Sequence, residues 1–220
     1  MKKYLSSVVA AALLSSFVVG CSDSNDDDST EAKPYTAAFA ATPAGETSGV
    51  SYVCGDVKGT IKAGSKGLYG PCEQDEIAIF SLGNVELGQV AYSTVKANGG
   101  VVKASDLTAV TKAAGDDLAS KNLALLYSLD GDANPDNGVG VEEDAIEELN
   151  KQFPVGTNLA TVPSTTLDSA TATVAATIPT LQVVTTDEAA VHVEELEQAE
   201  IPAPPGVVVP EEPNVTGAAS

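Results

Sequence analysis

The spacing of apolar residues changes along this chain, and that change limits the folds open to it. In SYVC and in IAIFSLGNVELGQVAY, between residues 51 and 92, apolar residues alternate with others. Alternation is typical of β-strands with one buried face. Gly83-Asn84 divides the longer run and is a signal for a two-residue hairpin. From Asp116 onward the spacing is helical, with leucines at positions 118, 125, 126 and 129. The sequence therefore predicts an α+β fold, in which an N-terminal antiparallel β unit with a disulfide precedes a small helical part packed on it.

Three helices are predicted in the second half. The first follows Asp116 and should keep Lys121 and Ser128 away from its leucine face. The second should span residues 141–153, with an acidic outer face and with Ile146, Leu149 and Phe153 buried.

The third predicted helix begins at a capping box formed by Thr185 and Glu188 and runs to about Glu197. Before it lies a stretch rich in Thr, Ala and Ser. This stretch is interpreted as a loop with one strand near residues 172–178.

The chain begins with Lys2 and Lys3 and then runs apolar over residues 8–19, which is the plan of a secretory leader. The run is shorter than the roughly 20 residues that a membrane-spanning helix needs. Its end, VVGC at 18–21, resembles the lipobox of bacterial lipoproteins. The resemblance implies that residues 1–20 are a signal peptide, and that Cys21 receives a diacylglycerol and an acylated amino terminus. The alternative is an ordinary leader with an incidental cysteine.

Lipid chains on Cys21 would hold the protein on a membrane, because two or more chains anchor stably. In bacterial lipoproteins, Asp directly after the cysteine favours the inner membrane. Here Ser22 holds that position, so the resemblance implies the outer membrane. Either the periplasmic or the surface-exposed face is compatible with it.

The charge balance is strongly acidic, with 11 basic residues, all lysines, against 31 acidic ones. This balance and the absence of arginine argue against nucleic acid and anionic lipid as partners. They fit a solvated secreted surface or a surface that binds cations.

Two cysteines, Cys54 and Cys72, remain once Cys21 is assigned to lipid. In an oxidising compartment they are expected to form a disulfide. The alternative, a pair of metal thiolates, lacks further Cys or His ligands at useful spacing.

The two ends of the chain differ from the middle in composition. The composition of residues 21–45 predicts an acidic disordered tether, and that of residues 201–220 predicts a Pro-rich disordered tail. Between them, residues 46–104 should form the β-rich part, and residues 105–200 the helical part of the same domain.

The block from Ser48 to Gly88 resembles a module found in secreted and lipid-anchored proteins of Gram-negative bacteria. The resemblance rests on YVCG at 52–55, GT at 59–60, GLY at 67–69 and FSLG at 80–83. It continues with LDGDANPDNG at 129–138 and with AAVH at 189–192. The family has no assigned activity, and some of its members carry labels in organic-solvent transport or surface adhesion. One departure is Ile61, where the family often has an acidic residue.

The loop LDGDANPDNGVGVEED is the most chemically specific part of the sequence. Oxygen ligands alternate through it at Asp130, Asp132, Asn134 and Asp136. This spacing matches the first four ligand positions of an EF-hand, and calcium takes 6–8 oxygens. Pro135 stands where an EF-hand needs Gly, so a single structural calcium ion in a different loop is one interpretation. The other is that these residues cap helices and tighten the turn.

His192, the only histidine, lies within helical reach of Glu188 and Glu195. It is interpreted as a surface or packing residue, because a zinc site would need further Cys or His ligands and the sequence has no Gly-x-Ser-x-Gly nucleophile elbow. The count of residues alone leaves a Ser-His-acid triad open. Tyr52 and Tyr69 are interpreted as core residues.

These observations favour a non-enzymatic, lipid-anchored cell-envelope protein that acts as a binding or structural module of the adhesion type. It would contact the membrane through its lipid and would have an envelope protein as partner. The alternative is an accessory component of an envelope transport or secretion system, which binds a small apolar ligand or a partner protein. A large apolar pocket would favour the alternative, whereas a filled core with an exposed sheet edge would favour the binding module.

Overall fold

The computed structural model describes residues 32–110 and 117–211. Within these ranges the strands are β1 (Pro34–Ala40), β2 (Thr47–Ser48), β3 (Ser51–Cys54), β4 (Val57–Thr60), β5 (Leu68–Glu73), β6 (Ile77–Leu82), β7 (Val85–Ala91), β8 (Val101–Lys103), β9 (Val139–Gly140) and β10 (Thr157–Asn158). The α-helices are α1 (Tyr92–Ala97), α2 (Leu118–Ser128), α3 (Glu143–Gln152), α4 (Ser164–Thr177) and α5 (Thr186–Gln198). The predicted α+β class is confirmed. The predicted signal peptide and Cys21 lie outside the described residues.

Two larger sheets form the first half of the fold. One has three strands in the order β5, β1, β8, with β1 antiparallel to β5 and parallel to β8. The other has five strands in the order β10, β7, β6, β3, β4. The predicted hairpin at Gly83-Asn84 joins β6 to β7, with Leu82 paired to Val85. The short strands β9 and β10 arise from the predicted helical part, and β10 extends the five-stranded sheet.

The predicted disulfide is present and joins the two larger sheets. Cys54 ends β3, Cys72 lies in β5, and their Cα atoms are 5.6 Å apart. Both side chains are fully buried. The bond therefore connects segments that belong to different sheets.

Aromatic rings bring the same two sheets into contact. Phe39 of β1 stacks on Phe80 of β6 with ring centroids 4.8 Å apart, and Tyr69 of β5 meets the edge of Phe80 at 4.9 Å. Alternation in β6 turns Ala78, Phe80 and Leu82 inward. Leucines of α2, α3, α4 and α5 join the same hydrophobic cluster.

Helix α2 is buried on all sides, which corrects the predicted one-sided pattern. Lys121 and Ser128, expected away from the core, are 4% and 0% exposed. Each has polar partners that make burial tolerable. Lys121 Nζ lies 3.0 Å from Asp117 Oδ2, and the Ser128 hydroxyl bonds to both backbone groups of Val184.

The predicted second and third helices are found as α3 and α5. In α3, Leu149 is buried and Ile146 half-buried, and Phe153 is buried just beyond the helix. The capping box of α5 is confirmed. Glu188 N donates to Thr185 Oγ1 at 3.3 Å, and Thr185 N donates to Glu188 Oε2 at 2.9 Å.

The predicted loop and strand before α5 are wrong, because helix α4 occupies this region. Its buried residues, Leu167, Ala170, Thr171 and Val174, fall at helical spacing. Threonine has a low helix propensity, which hid this pattern. Thr173 and Thr177 each donate a hydroxyl proton to the carbonyl four residues earlier, a bond that keeps polar side chains compatible with a helix.

The predicted tether ends earlier than residue 45. Strand β1 begins at Pro34, with Tyr35 and Phe39 buried against the core. The β-rich part therefore begins at about residue 34 instead of 46. The averaged composition of residues 21–45 concealed this strand, because the acidic residues are concentrated before it. Residues 21–31 lie outside the described range.

The predicted disordered tail is also corrected over residues 201–211, which are ordered against β1. Thr36 N donates to Val208 O at 3.0 Å, and Val208 N donates to Thr36 O at 2.8 Å. The segment is extended, as its prolines predict, but it is docked. Residues 212–220 lie outside the described range.

Among the described residues, none of the helices is long and apolar enough to cross a membrane.

Candidate functional site

The acidic loop after α2 is held by hydrogen bonds that its own backbone and the Asn137 side chain donate. Asp130, only 2% exposed, accepts at Oδ1 from Gly140 N at 2.9 Å and at Oδ2 from Asn134 N at 3.0 Å. Asp132 accepts from Asn134 N at 3.0 Å and from Asn137 Nδ2 at 2.8 Å. All four carboxylate oxygens therefore already have donors, as in a tight turn.

Burial raises the pKa of the Asp130 carboxyl, while backbone donors act in the opposite direction. The side chain of Asn137 is the main cause that lowers the pKa of Asp132. Asn134 and Asp136 are exposed, and within residues 32–110 and 117–211 no cluster of His, Cys, Asp or Glu is arranged to hold a metal ion. The hydrogen bonds match the turn-tightening alternative, and calcium stays a prediction.

The acidic loop packs against a segment that the sequence did not connect with it. Val139 N donates to Glu46 O at 2.8 Å, and Val141 N donates to Ser48 O at 3.2 Å. The side chains of Glu46, Asp132 and Glu142 border a surface groove of about 490 Å³. Nothing in the local spacing relates Glu46 to a loop about 85 residues later, so only the fold reveals this acidic groove.

His192 lies on the surface of α5 and packs on α2. Its Nδ1 is 3.0 Å from Glu195 Oε2, and its ring meets the Tyr127 ring edge-to-face at 5.5 Å. Tyr127 OH donates to the Ala41 carbonyl at 3.0 Å. Glu188, the other acid within helical reach, caps α5 instead. His192 therefore has the contacts of a packing residue, as interpreted from the sequence.

Of the two tyrosines interpreted as core residues, Tyr69 is 2% exposed and Tyr52 is half-buried. Tyr35, which the sequence placed in the tether, is also in the core and is 1% exposed. Burial raises the pKa of Tyr35 to about 12 and raises that of Tyr69 still further above its ordinary value. Tyr52, half-buried, donates its hydroxyl proton to the Gly70 carbonyl at 3.0 Å. These side chains join the sheets and leave no hydroxyl presented as a ligand platform.

An apolar surface lies on the outer face of the five-stranded sheet, near its edge strand β4. Val53 and Ile77 are 43% and 47% exposed, and Ile79, half-buried, is paired directly with Val53. We call Val53, Ile77 and Ile79 the outer strip. Strand β4 is hydrogen-bonded to β3 alone, but it also lies close to β5 of the three-stranded sheet. Its Lys58 and Thr60 are exposed.

The outer strip is an apolar contact surface on a sheet face. Single exposed apolar residues are common on proteins. Here two exposed residues, Val53 and Ile77, are joined by the half-buried Ile79, and an apolar side-chain contact of this kind is one of the two parts that strand-adding partners use. No local pattern signals that β4 is the edge strand, because strand order depends on pairings between distant segments.

Comparisons with protein-family models, with curated proteins and with solved structures gave no match to this chain.

Proposed function

We propose that this chain is a lipid-anchored cell-envelope protein, held in the outer membrane through Cys21, that acts as a non-enzymatic binding and structural module. The leader and lipobox pattern at residues 1–21 supports the anchor. The Cys54–Cys72 disulfide supports a location outside the cytosol, because such bonds persist in oxidising compartments.

The outer strip beside β4 is the observation that carries the binding role. It offers a partner protein an apolar contact on the outer face of the sheet, beside the exposed side chains of β4. Lys58 on β4 discourages unselective pairing, since charged residues on edge strands oppose aggregation. The proposed partner is therefore an envelope protein with an apolar surface that packs on the outer strip.

The packing of the core favours this role over the ligand-carrying alternative. Phe39, Phe80 and Leu123 are fully buried within one cluster that includes both sheets and the helices. A carrier of a small apolar ligand needs a cavity lined by such side chains. Here they contact one another. The contacts of His192 likewise support a non-enzymatic role, because it pairs with Glu195 and packs on Tyr127.

The anchor is tested by the intact mass of the protein purified from membranes. We expect residues 1–20 to be absent and the mass to include a diacylglycerol and one further acyl chain on Cys21. The matched variant Cys21→Ser should lose this added mass and leave the membrane fraction. A native protein that retains Met1 and carries no acyl mass would contradict the proposal.

The binding role is tested by placing a photocrosslinking residue at Val53 or at Lys58 in intact cells. We expect a discrete adduct with one envelope protein from both positions, and we expect Ile77→Lys to suppress it. The control position is Val155, which is 86% exposed and lies between α3 and β10. Equal adducts from Val155, or adducts that Ile77→Lys does not change, would reject the outer strip as the binding surface.

A further inference from the structure

Two exposed lysines lie in a row beside the outer strip. In β4, Lys58 pairs with Val53, which belongs to the outer strip. The pairing with the β3 side continues one residue past β4, because Ile61 N donates to Val50 O at 2.8 Å. Ile61 is buried and Lys62 is exposed, so the alternation of an extended chain places Lys62 on the same outward side as Lys58. We call Lys58 and Lys62 the lysine row.

The lysine row has no acidic partner within the fold. Among the residues that the structure describes, neither Lys58 nor Lys62 forms an ion pair. Elsewhere, Lys121 and Lys151 are paired with acids, and Lys103 Nζ donates to two backbone carbonyls. The chain has 31 acidic residues against 11 basic ones, so a shortage of acids does not explain the unpaired row. Two unpaired ammonium groups therefore lie beside an apolar contact surface.

Acidic side chains lie beyond both ends of the lysine row. Asp56 is exposed in the turn before β4, and beyond Lys62 the residues Ala63 and Gly64 border the acidic groove. A carboxylate is thus attracted at the row and repelled on either side of it. In physiological salt, charges more than about 8 Å apart are largely screened. The local sign of charge, rather than the net charge of −20, therefore decides what the row attracts.

We propose that the partner of the outer strip is an acidic, amphipathic segment of an envelope protein, whose apolar side chains cover the outer strip and whose Asp or Glu side chains pair with the lysine row. The site itself rests on the proposed function, and the lysine row adds the chemistry of its partner. Apolar contact provides affinity, while complementary charges mainly set the register and the rate of association. The acidic surfaces elsewhere on the chain repel the same segment, which confines it to this site.

A narrow segment fits this surface better than a flat anionic membrane does. The lysine row contributes two charges, whereas basic clusters that hold proteins on anionic lipid contain about 4–8. A flat surface that covered the row would also meet Asp56 and the acidic groove, and it would be repelled there. A segment about one strand or one helix wide avoids these acids.

The acidic partner is tested in the full chain in intact cells, with the photocrosslinking residue at Val53. Lys58→Glu, Lys62→Glu and the double variant reverse the charge of the lysine row. The matched control is Lys151→Glu, which changes the net charge equally at an exposed position of α3. We expect the adduct yield to fall about threefold in each single variant, at least about tenfold in the double variant, and less than about twofold in the control. Circular dichroism verifies that the variants fold.

Salt gives a second measurement, made on isolated membranes. Raising the salt from about 0.1 M to about 1 M shortens the screening length from about 10 Å to about 3 Å. We expect the yield of the Val53 adduct to fall in the wild type and to change little in the double variant. Salt that leaves the wild-type yield unchanged would overturn the pairing with Lys58 and Lys62, since apolar contact alone is not weakened by screening.

The acidic partner and the outer strip fail separately in these experiments. A Val53 adduct that neither charge reversal nor salt changes would reject the acidic partner and keep the outer strip as the binding surface. A wild-type chain that gives no adduct from Val53 would overturn both. Mass analysis of the adduct should identify a protein segment that carries Asp or Glu. An adduct with lipid, with glycan or with a segment that lacks acids would overturn the proposal.

Discussion

Removal of the Cys54–Cys72 disulfide is expected to lower the free energy of unfolding by about 3 kcal/mol. The two cysteines are 18 residues apart. A closed loop of that size restricts the unfolded chain by about 3 kcal/mol on the chain-entropy estimate. In a domain of this size, Tm falls by about 2–4 °C for each kcal/mol, so the loss corresponds to about 6–12 °C.

The assay is urea unfolding of the full chain followed by far-ultraviolet circular dichroism, since the protein contains no tryptophan. The oxidised protein, the reduced protein and the Cys54→Ala/Cys72→Ala variant are compared. Reduction removes the cross-link and retains both sulfurs, so it isolates the effect on the unfolded chain. The alanine variant adds the loss of two buried sulfurs.

A reductant should not change the unfolding of the alanine variant, which serves as its own control. The reasoning is refuted if reduction of the wild type changes the free energy of unfolding by less than about 1 kcal/mol, far below the value expected for this loop. A much larger loss in the alanine variant than in the reduced protein would show that sulfur packing, rather than loop closure, provides most of the stabilisation.

Three further predictions concern single side chains. Ser128→Ala removes the hydroxyl that donates to Val184 O and accepts from Val184 N, so urea unfolding should show a loss of about 2 kcal/mol. For Asp117, burial raises the pKa, but the hydrogen bond and charge of Lys121 outweigh it and hold the net pKa below its ordinary value. The stability that ionised Asp117 contributes is therefore complete above the unfolded pKa of about 3.9 and is lost as pH falls through its folded pKa. In a plot of the free energy of unfolding against pH, the Asp117→Asn variant should show a shallower acid limb, that is, a smaller decline at low pH. Chelator should leave Tm unchanged in both the wild type and Asp132→Ala, because the loop carboxylates already accept N–H donors.

Each of these predictions has a control or a contradicting result. Ser169→Ala removes an exposed hydroxyl that donates only to Thr165 O in α4, and it should change stability by less than about 0.5 kcal/mol. Ser128→Ala with an equally small effect would show that the Val184 backbone finds other donors and acceptors. An unchanged acid limb in Asp117→Asn would reject the pairing with Lys121. A fall in Tm with chelator that Asp132→Ala abolishes would restore calcium as the brace of the acidic loop.

Local signals predicted those parts of the fold that local contacts determine. The hairpin at Gly83-Asn84 needs two residues of suitable turn chemistry, and the capping box at Thr185 and Glu188 closes within four residues. For the pair Cys54 and Cys72, the number of cysteines was sufficient, since only one partner was left for each.

Features that depend on distant partners were not predictable from one stretch of sequence. Lys121 can be buried in α2 because its ammonium group pairs with Asp117 and donates a hydrogen bond to the Ala160 carbonyl. No periodic pattern in the sequence reveals these partners. Helix α4 shows little contrast between its faces, because Thr and Ala alternate through it. The outer strip required the strand order, which places β4 at the edge.

Strand β1 and residues 201–211 escaped prediction for a common physical reason. β1 buries the rings of Tyr35 and Phe39, but three of its seven residues are alanines, and its order also depends on pairing with β5 on one side and β8 on the other. Its pairing with β8 begins only at Ala38, which leaves that side of Thr36 to Val208. The prolines of residues 201–211 correctly exclude a helix, but an extended chain becomes ordered wherever a matching edge is available. The edge at Thr36 thus determines that the second end docks on the first, and composition alone does not reveal such a pairing.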